Sequence, residues 1–347
     1  MKITIVIRFS SLGDIAILIP SLYTIARENQ DDIFLVLTKK NMQNIFVNRP
    51  KNILTFGADT ECYHKGIFGL FRLISDVKEK IKEIKADYPS QKIKINIADM
   101  HDVIRSKIIK LFFPFSKRKT ILKERKEKRA LCRVKNKKLK QLKTSHQRYK
   151  KVFRQLGYKT NNNFRNIFYK KTPHTGRRIG IAPFASFKSK TYPLPLISEV
   201  INILSKQPDT RIYIFGNKKL RKHMEKLARK HPNTESTADR FPFRSELALM
   251  NTLDVMISMD SANMHFASLV NTPVISIFGS THPYAGFYGY RQKPENIIQL
   301  DLECRPCSIY GTKKCREGTY ACLKNITPEM IVEKIEKNIY KKDTDQT

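Results

Sequence analysis

The chain has 347 residues, enough for two domains with a core in each. Apolar residues make up 41% and aromatic residues 10%, which excludes a disordered chain. Lys and Arg number 66 against 31 Asp and Glu, and the resulting +35 attracts polyanions, whether nucleic acid, an anionic membrane leaflet or a phosphorylated substrate.

The chain opens on KITIVIRF, a β-branched run bounded by small residues, which predicts a buried strand. DIAILIPSLYTIAREN then reads as a helix with Asp14 in the cap or first-turn position. IFLVLT (33–38) is a strand, GLFRLISDVKEKIKEIKADY an amphipathic helix, KIKINIADM (92–100) a strand and DMHDVIRSKIIKLFF a helix. This alternation predicts a parallel sheet with helices on both faces. Residues 116–151 are dense in Lys and Arg, with Glu124 and Glu127 as the only acids, and read either as a solvated surface or as an electrostatic patch.

The alternation then resumes. RRIGIAPF, TRIYIFGN, VMISMD and TPVISIFGS are strands. LPLISEVINILSKQ, KKLRKHMEKLARKHP, SELALMNTLD and SANMHFASLVN are helices, and TPEMIVEKIEKNIYKK closes the chain. The pattern breaks near residues 158–176. Two α/β domains are expected, 1–165 carrying the basic segment and 175–347, with ligands at the carboxyl ends of the strands.

No segment reaches the ~18 unbroken apolar residues of a membrane span, and the N-terminus lacks the layout of an export signal, so a cytoplasmic protein is expected. Cys304, Cys307, Cys315 and Cys322 bunch near the end. The C-x-x-C start has zinc-ligand spacing, although the later gaps are not those of a standard finger. A structural zinc site and reduced thiols are both open.

Four stretches end a strand and open a helix with polar residues: SSLGD (10–14), ASFKSK (185–190), GNKK (216–219) and DSANMH (260–265). Free N–H groups at a helix start bind phosphate. Ser261 and Ala262 are small enough to admit a diphosphate, and Lys190 would add a full charge. Standard nucleotide signatures are absent. Locally, Asp14 and Asp260 read equally as helix caps, and His265 as a core histidine.

Several stretches, in order and spacing, resemble the glycosyltransferase family 9 heptosyltransferases. They are RFSSLGDIAILIPSL, IADMHDVIRS, HQRYKKVFRQLG, IGIAPFASFKSKTYPL and MISMDSANMHFASLVNTPVISIFGSTHP. The resemblance spans nearly the whole chain. It implies the GT-B fold: two Rossmann-like domains facing each other across a cleft. It implies inverting, metal-independent transfer of a sugar from a nucleotide-diphosphate donor, with ADP-heptose as the family donor, to a lipopolysaccharide-core or related glycolipid, and no cofactor.

By the same resemblance Asp14 is the general base, kept ionised by the helix start beside it. Ser186 and Lys190 line the donor loop, Asp260 holds donor hydroxyls, and Ser261, Ala262 and Asn263 offer N–H groups, with His265 in support. Arg8, Asp99, His101 and Arg105 fall on the acceptor side. Ala262 stands where the family has Gly, Phe184 replaces the Gly of P-G-A-S, Tyr192 replaces Trp, and His101-Asp102 replace Gln-Gly. The donor sugar therefore stays open.

The implied acceptor sits at the cytoplasmic face of the inner membrane, where each basic residue of 116–151 would add about 1 kcal/mol of attraction. No nucleic acid is expected, because no nucleic-acid-binding motif is found and the basic run has no interleaved aromatic residue beyond Tyr149. The rival readings are a transferase for another nucleotide sugar and a non-catalytic RNA- or membrane-binding protein on the same scaffold.

Overall fold

The computed structural model describes residues 1–340. In chain order the elements are β1 (Lys2–Ile7), α1 (Leu12–Glu28), β2 (Ile33–Lys39), β3 (Ile53–Ala58), α2 (Gly66–Ala86), β4 (Lys94–Asp99), α3 (Ile104–Leu111) and β5 (Lys117–Thr120). Then follow α4 (Arg125–Leu131), α5 (Ser145–Gln155), β6 (Arg177–Ala182), α6 (Leu194–Ser205), β7 (Thr210–Ile214), α7 (Arg221–Ala228), β8 (Thr234–Ser236) and α8 (Phe243–Met250). The chain ends with β9 (Val255–Met259), α9 (Ala262–Leu269), β10 (Val274–Ile277), β11 (Ile297–Ile298), α10 (Ala321–Lys324) and α11 (Pro328–Ile335).

The elements form two units. Among the described residues the first comprises 1–123 and 145–164, the second 124–144 and the chain from 165 on. The first holds a parallel sheet in the order β3-β2-β1-β4-β5. Strand β1 sits at its centre, with Ile5 paired to Leu35 on one side and Ile97 on the other. Its inner faces are Ile, Val and Leu because both sides are covered by helices. Helix α2 buries Leu70, Leu73, Ile74, Val77, Ile81 and Ile84, one face at helical spacing. Each such side chain contributes roughly 1.5–3 kcal/mol. Helix α1 is buried along nearly its whole length, including Pro20, and α5 packs against it, where the Ser21 hydroxyl meets His146 Nδ1 at 3.2 Å.

The second unit repeats the plan with the order β11-β10-β9-β6-β7-β8. Ile181 of β6 pairs with Ile214 and Ile257 in its two neighbours. Both orders reverse beside the first strand of the unit, between β1 and β4 and between β6 and β9. In open α/β sheets that reversal leaves the ligand crevice at the carboxyl ends.

Strand β3 and the short strands β5, β8 and β11 add to the expected elements. Strand β5 is KRKT, an edge strand hidden in the basic run. The basic segment also departs from the expected boundary, since residues 124–144 pack with the second unit. Leu131 is buried, and the Lys128 ammonium lies 4.5 Å from the Phe287 ring centre. Lys137 donates to the carbonyls of Glu303 and Arg305, and Leu142 N–H donates to Tyr284 O at 2.9 Å. These contacts outweigh sequence adjacency. Among the described residues no helix is long and apolar enough to cross a membrane.

Candidate active site

In the first unit the polar cluster forms where β1 and β4 end. The loop 8–11 leaves β1, and Ser11 caps α1, so Asp14 occupies the third position of the helix and is not the cap. Its Oδ2 accepts from Ser11 N–H at 3.2 Å and from the Ser11 hydroxyl at 2.9 Å. The same oxygen pairs with the Arg8 guanidinium. Arg8 is nearly buried and also donates to Met100 O at 2.6 Å, which ties the end of β1 to the end of β4. The Asp14 side chain keeps a quarter of its surface exposed. A partly exposed carboxylate, aligned by a capping turn and an arginine, has the placement of a proton acceptor.

His101 packs beside this pair. Its Nδ1 accepts from Phe9 N–H at 3.4 Å, which leaves the proton on Nε2, 3.4 Å from Ser10 Oγ. Burial first, then the charges of Arg8 and Lys123, pull its pKa down to about 4, so the ring is neutral near pH 7. Arg105 lays its guanidinium 5.8 Å from the Phe9 ring centre.

Asp99 has a different place from the one expected on the acceptor side. It is fully buried. One oxygen accepts from His101 N–H at 3.0 Å and Asp102 N–H at 2.8 Å. The other takes the Ser106 hydroxyl at 3.0 Å and the Lys110 ammonium at 2.8 Å. A carboxylate occupied in this way builds the loop that presents His101, and is not open to a ligand.

The His101 shift sets a pH dependence. Unfolded, the group titrates near 6.5, so below that value the unfolded chain binds the proton more readily. Stability should therefore fall as pH drops from about 6.5 towards about 4. His146 and His282 are also lowered to about 4, chiefly by burial, and add to the slope. A His101→Gln variant should show a shallower loss of unfolding free energy over that window, and an unchanged slope would contradict the assignment.

In the second unit the cluster forms where β6 and β9 end. Lys190 lies in a short helical turn after β6, and Asp260 follows β9. Lys190 Nζ stands 3.4 Å from Asp260 Oδ2, and both side chains are largely buried. The same oxygen accepts the Thr281 hydroxyl at 2.9 Å. Ser261 caps α9, with its hydroxyl 3.3 Å from that of Ser258, and Ala262 and Asn263 form the partly exposed first turn. His265 is buried in the next turn, and Ser186 is exposed on the loop after β6. Among the described residues no hydrogen bond or ion pair joins 216–219 to Lys190 or Asp260.

Two contributors here, Gly311 and Arg305, lie far from Lys190 in the sequence and carry no signal of it. Gly311 adopts φ +78°, and a Cβ on it would meet Lys190 Cγ at 2.5 Å, so the glycine lets the lysine stem pass. Ser189, 122 residues away from Gly311, donates to its carbonyl at 2.6 Å. Buried Arg305 binds the carbonyls of Phe278 (3.2 Å), Gly279 (2.5 Å) and Thr281 (2.9 Å), shaping the loop that supplies Thr281.

All six cysteines are free. Among the described residues no three of His, Cys, Asp and Glu are arranged to hold a metal ion. The structure thus lends no support to a zinc set at Cys304, Cys307, Cys315 and Cys322. Cys307 instead lies on the loop of Ser280, to which its N–H donates at 3.1 Å.

The model of "Glycosyltransferase family 9 (heptosyltransferase)" matches residues 97–320. Lipooligosaccharide heptosyltransferase 2 of Campylobacter jejuni is 25% identical over 169 residues, 47% of this chain and 52% of that protein. The match thus spans about half the length of that relative. A solved family 9 glycosyltransferase from Veillonella parvula superposes with a TM-score of 0.74 at 18% identity, over 98% of both chains. The E. coli heptosyltransferase WaaC solved with ADP gives 0.63 at 16% identity, over 97% of this chain and all of that one. These likenesses give the fold as GT-B, two Rossmann-like units. With well over half of its length matched by the family's model, and its polar clusters at the switch points of both sheets, the chain belongs to glycosyltransferase family 9.

Proposed function

We propose that the protein is an inverting, metal-independent glycosyltransferase. It would move a sugar, heptose by kinship, from a nucleotide-diphosphate donor such as ADP-heptose to a lipopolysaccharide-core or related glycolipid. Asp14 takes the proton of the acceptor hydroxyl as its oxygen bonds to the anomeric carbon. The bond from that carbon to the diphosphate breaks, and the diphosphate leaves with the electron pair. Lys190 and the N–H groups of Ser261, Ala262 and Asn263 meet the growing negative charge, the role a metal ion plays in other transferases. Asp260, itself held by the Thr281 hydroxyl, holds the lysine in position. The acceptor places the protein at the cytoplasmic face of an anionic membrane, which suits a charge of +35.

The observation that carries this reading is the Lys190–Asp260–Thr281 cluster at the switch point of the second sheet. The arrangement holds a nearly buried cation at a helix start, where a diphosphate is best received. Ala262 in the first turn of α9, in place of the family glycine, favours a second reading, in which the same reaction uses another nucleotide sugar.

Thermal shifts of the wild type and Lys190→Ala against a panel of nucleotide sugars, ADP-heptose included, test both readings. A donor present at about 100 times its Kd stabilises the folded state by about 2.7 kcal/mol. A single responding donor, with the response reduced at least tenfold in affinity by Lys190→Ala, is the expected result. Silence across the panel would sink the transferase reading.

A further inference from the structure

The face of the first unit opposite its catalytic edge carries a cavity of about 750 Å³. It opens at the amino ends of the adjacent strands β1, β4 and β5, whose first residues Lys2, Lys94 and Lys117 stand on its rim with Lys85 of α2. The walls are apolar, with Ile93, Ile95, Phe112, Phe113 and Leu156. Phe115 is fully exposed at the lip, and Pro114 beside it is exposed as well.

Charge on the rim is mostly uncompensated. Lys2 is paired with Asp32 at 3.5 Å. Among the described residues Lys85, Lys94 and Lys117 form no ion pair. The Phe112 ring meets Phe71, itself half exposed, at 5.7 Å between centres, so the apolar surface continues onto α2. Directly after Phe115 the chain reads SKRK.

A fully exposed phenylalanine beside an apolar hollow and ringed by free ammonium groups is complementary to one kind of surface. Acyl chains match the hollow and the ring, and headgroup phosphates match the lysines. Nucleic acid fits less well, because the walls are aliphatic and phenyl and offer almost nothing to read a base edge. We propose that this face docks on an anionic phospholipid bilayer, with Phe115 inserted among the acyl chains and Lys85, Lys94 and Lys117 on the phosphates.

The proposal rests on the reading of a membrane-held acceptor, which it deepens by naming the surface that meets the membrane. Strands β1 and β4 are six residues long, so the Arg8–Asp14 pair lies about 20 Å from this face. Docking would hold the catalytic edge at the height of sugars projecting from a lipid.

Flotation of the full chain with phosphatidylglycerol/phosphatidylethanolamine vesicles, against pure phosphatidylcholine vesicles, tests it. Phe115→Asp and the double variant K85E/K117E alter exposed side chains only. Wild type is expected to float with the anionic vesicles, each variant to bind at least tenfold more weakly, and both to keep the donor thermal shift. Equal binding by wild type and variants would move the contact to the rest of the basic segment, residues 123–151, and overturn the proposal. So would wild type that ignores anionic vesicles, or a single-stranded oligonucleotide whose binding is the one that Phe115→Asp abolishes. A donor shift without vesicle binding defeats this proposal and leaves the transferase reading standing; vesicle binding without a donor shift does the reverse.

Discussion

Asp14→Asn should lower the rate of sugar transfer by about 10²–10⁴-fold while leaving donor binding intact. The amide keeps the size and the oxygen that Ser11 N–H addresses, so the start of α1 is preserved. It loses the basicity needed to take a proton. The candidate donor residues lie on other strands of another unit, so a thermal shift with the donor should persist. This split separates a base from a residue that only closes the first turn. If Asp14 served only to close the first turn, its replacement would cost about 1 kcal/mol of stability and little rate. A variant that unfolds earlier by that amount yet transfers sugar at the wild-type rate would remove Asp14 from the chemistry.

Arg8 makes the test sharper. It is nearly buried, and its guanidinium spans the Asp14 carboxylate and Met100 O. The Asn variant leaves that guanidinium without its anionic partner, so some loss of stability accompanies the loss of rate. Arg8→Lys keeps a positive charge but not the planar fork that reaches both groups. Its rate should fall less than that of Asp14→Asn, because the carboxylate is still present and only its alignment suffers.

The strands and helices legible in the sequence are those whose apolar pattern is dictated by burial. Strands β1, β2 and β9 are almost wholly buried and read as largely apolar runs, β6 does so after its two leading arginines, and α2 shows its buried stripe at helical spacing. Strand β5 escapes because an edge strand of KRKT needs only backbone pairing with β4. Residues 124–144 escape for a related reason. Their charge density suggests a solvated run, yet Lys128 buries its stem and sets its ammonium against Phe287 and Tyr310. Lys190 and Asp260 stand out in the sequence because each follows a strand end, and the structure brings the two together. Asp99 enters only through the family resemblance, and the structure closes that carboxylate among four donors. Gly311 and Arg305 come from an irregular return of the chain that has no periodicity to read.

Arg305→Leu should cost about 3–5 kcal/mol of unfolding free energy, the largest stability loss expected of any single change here. The side chain is buried and serves five acceptors: the carbonyls of Phe278, Gly279, Thr281 and Leu300 and the amide oxygen of Gln299. Leucine fills much of the volume but supplies no donor, and each abandoned buried acceptor carries a desolvation penalty of about 1–3 kcal/mol before relaxation. Lysine has a charge and three donors on a single point, so it can serve part of the ring of acceptors, and Arg305→Lys should fall between wild type and Leu. Denaturant unfolding measures both. The loop held by Arg305 carries Thr281, and Thr281 holds Asp260 beside Lys190. Under conditions where the Lys variant is still folded, donor affinity should therefore drop although Arg305 itself is buried away from solvent. A Lys variant of lowered stability and unchanged donor affinity would confine Arg305 to the core and detach it from the site.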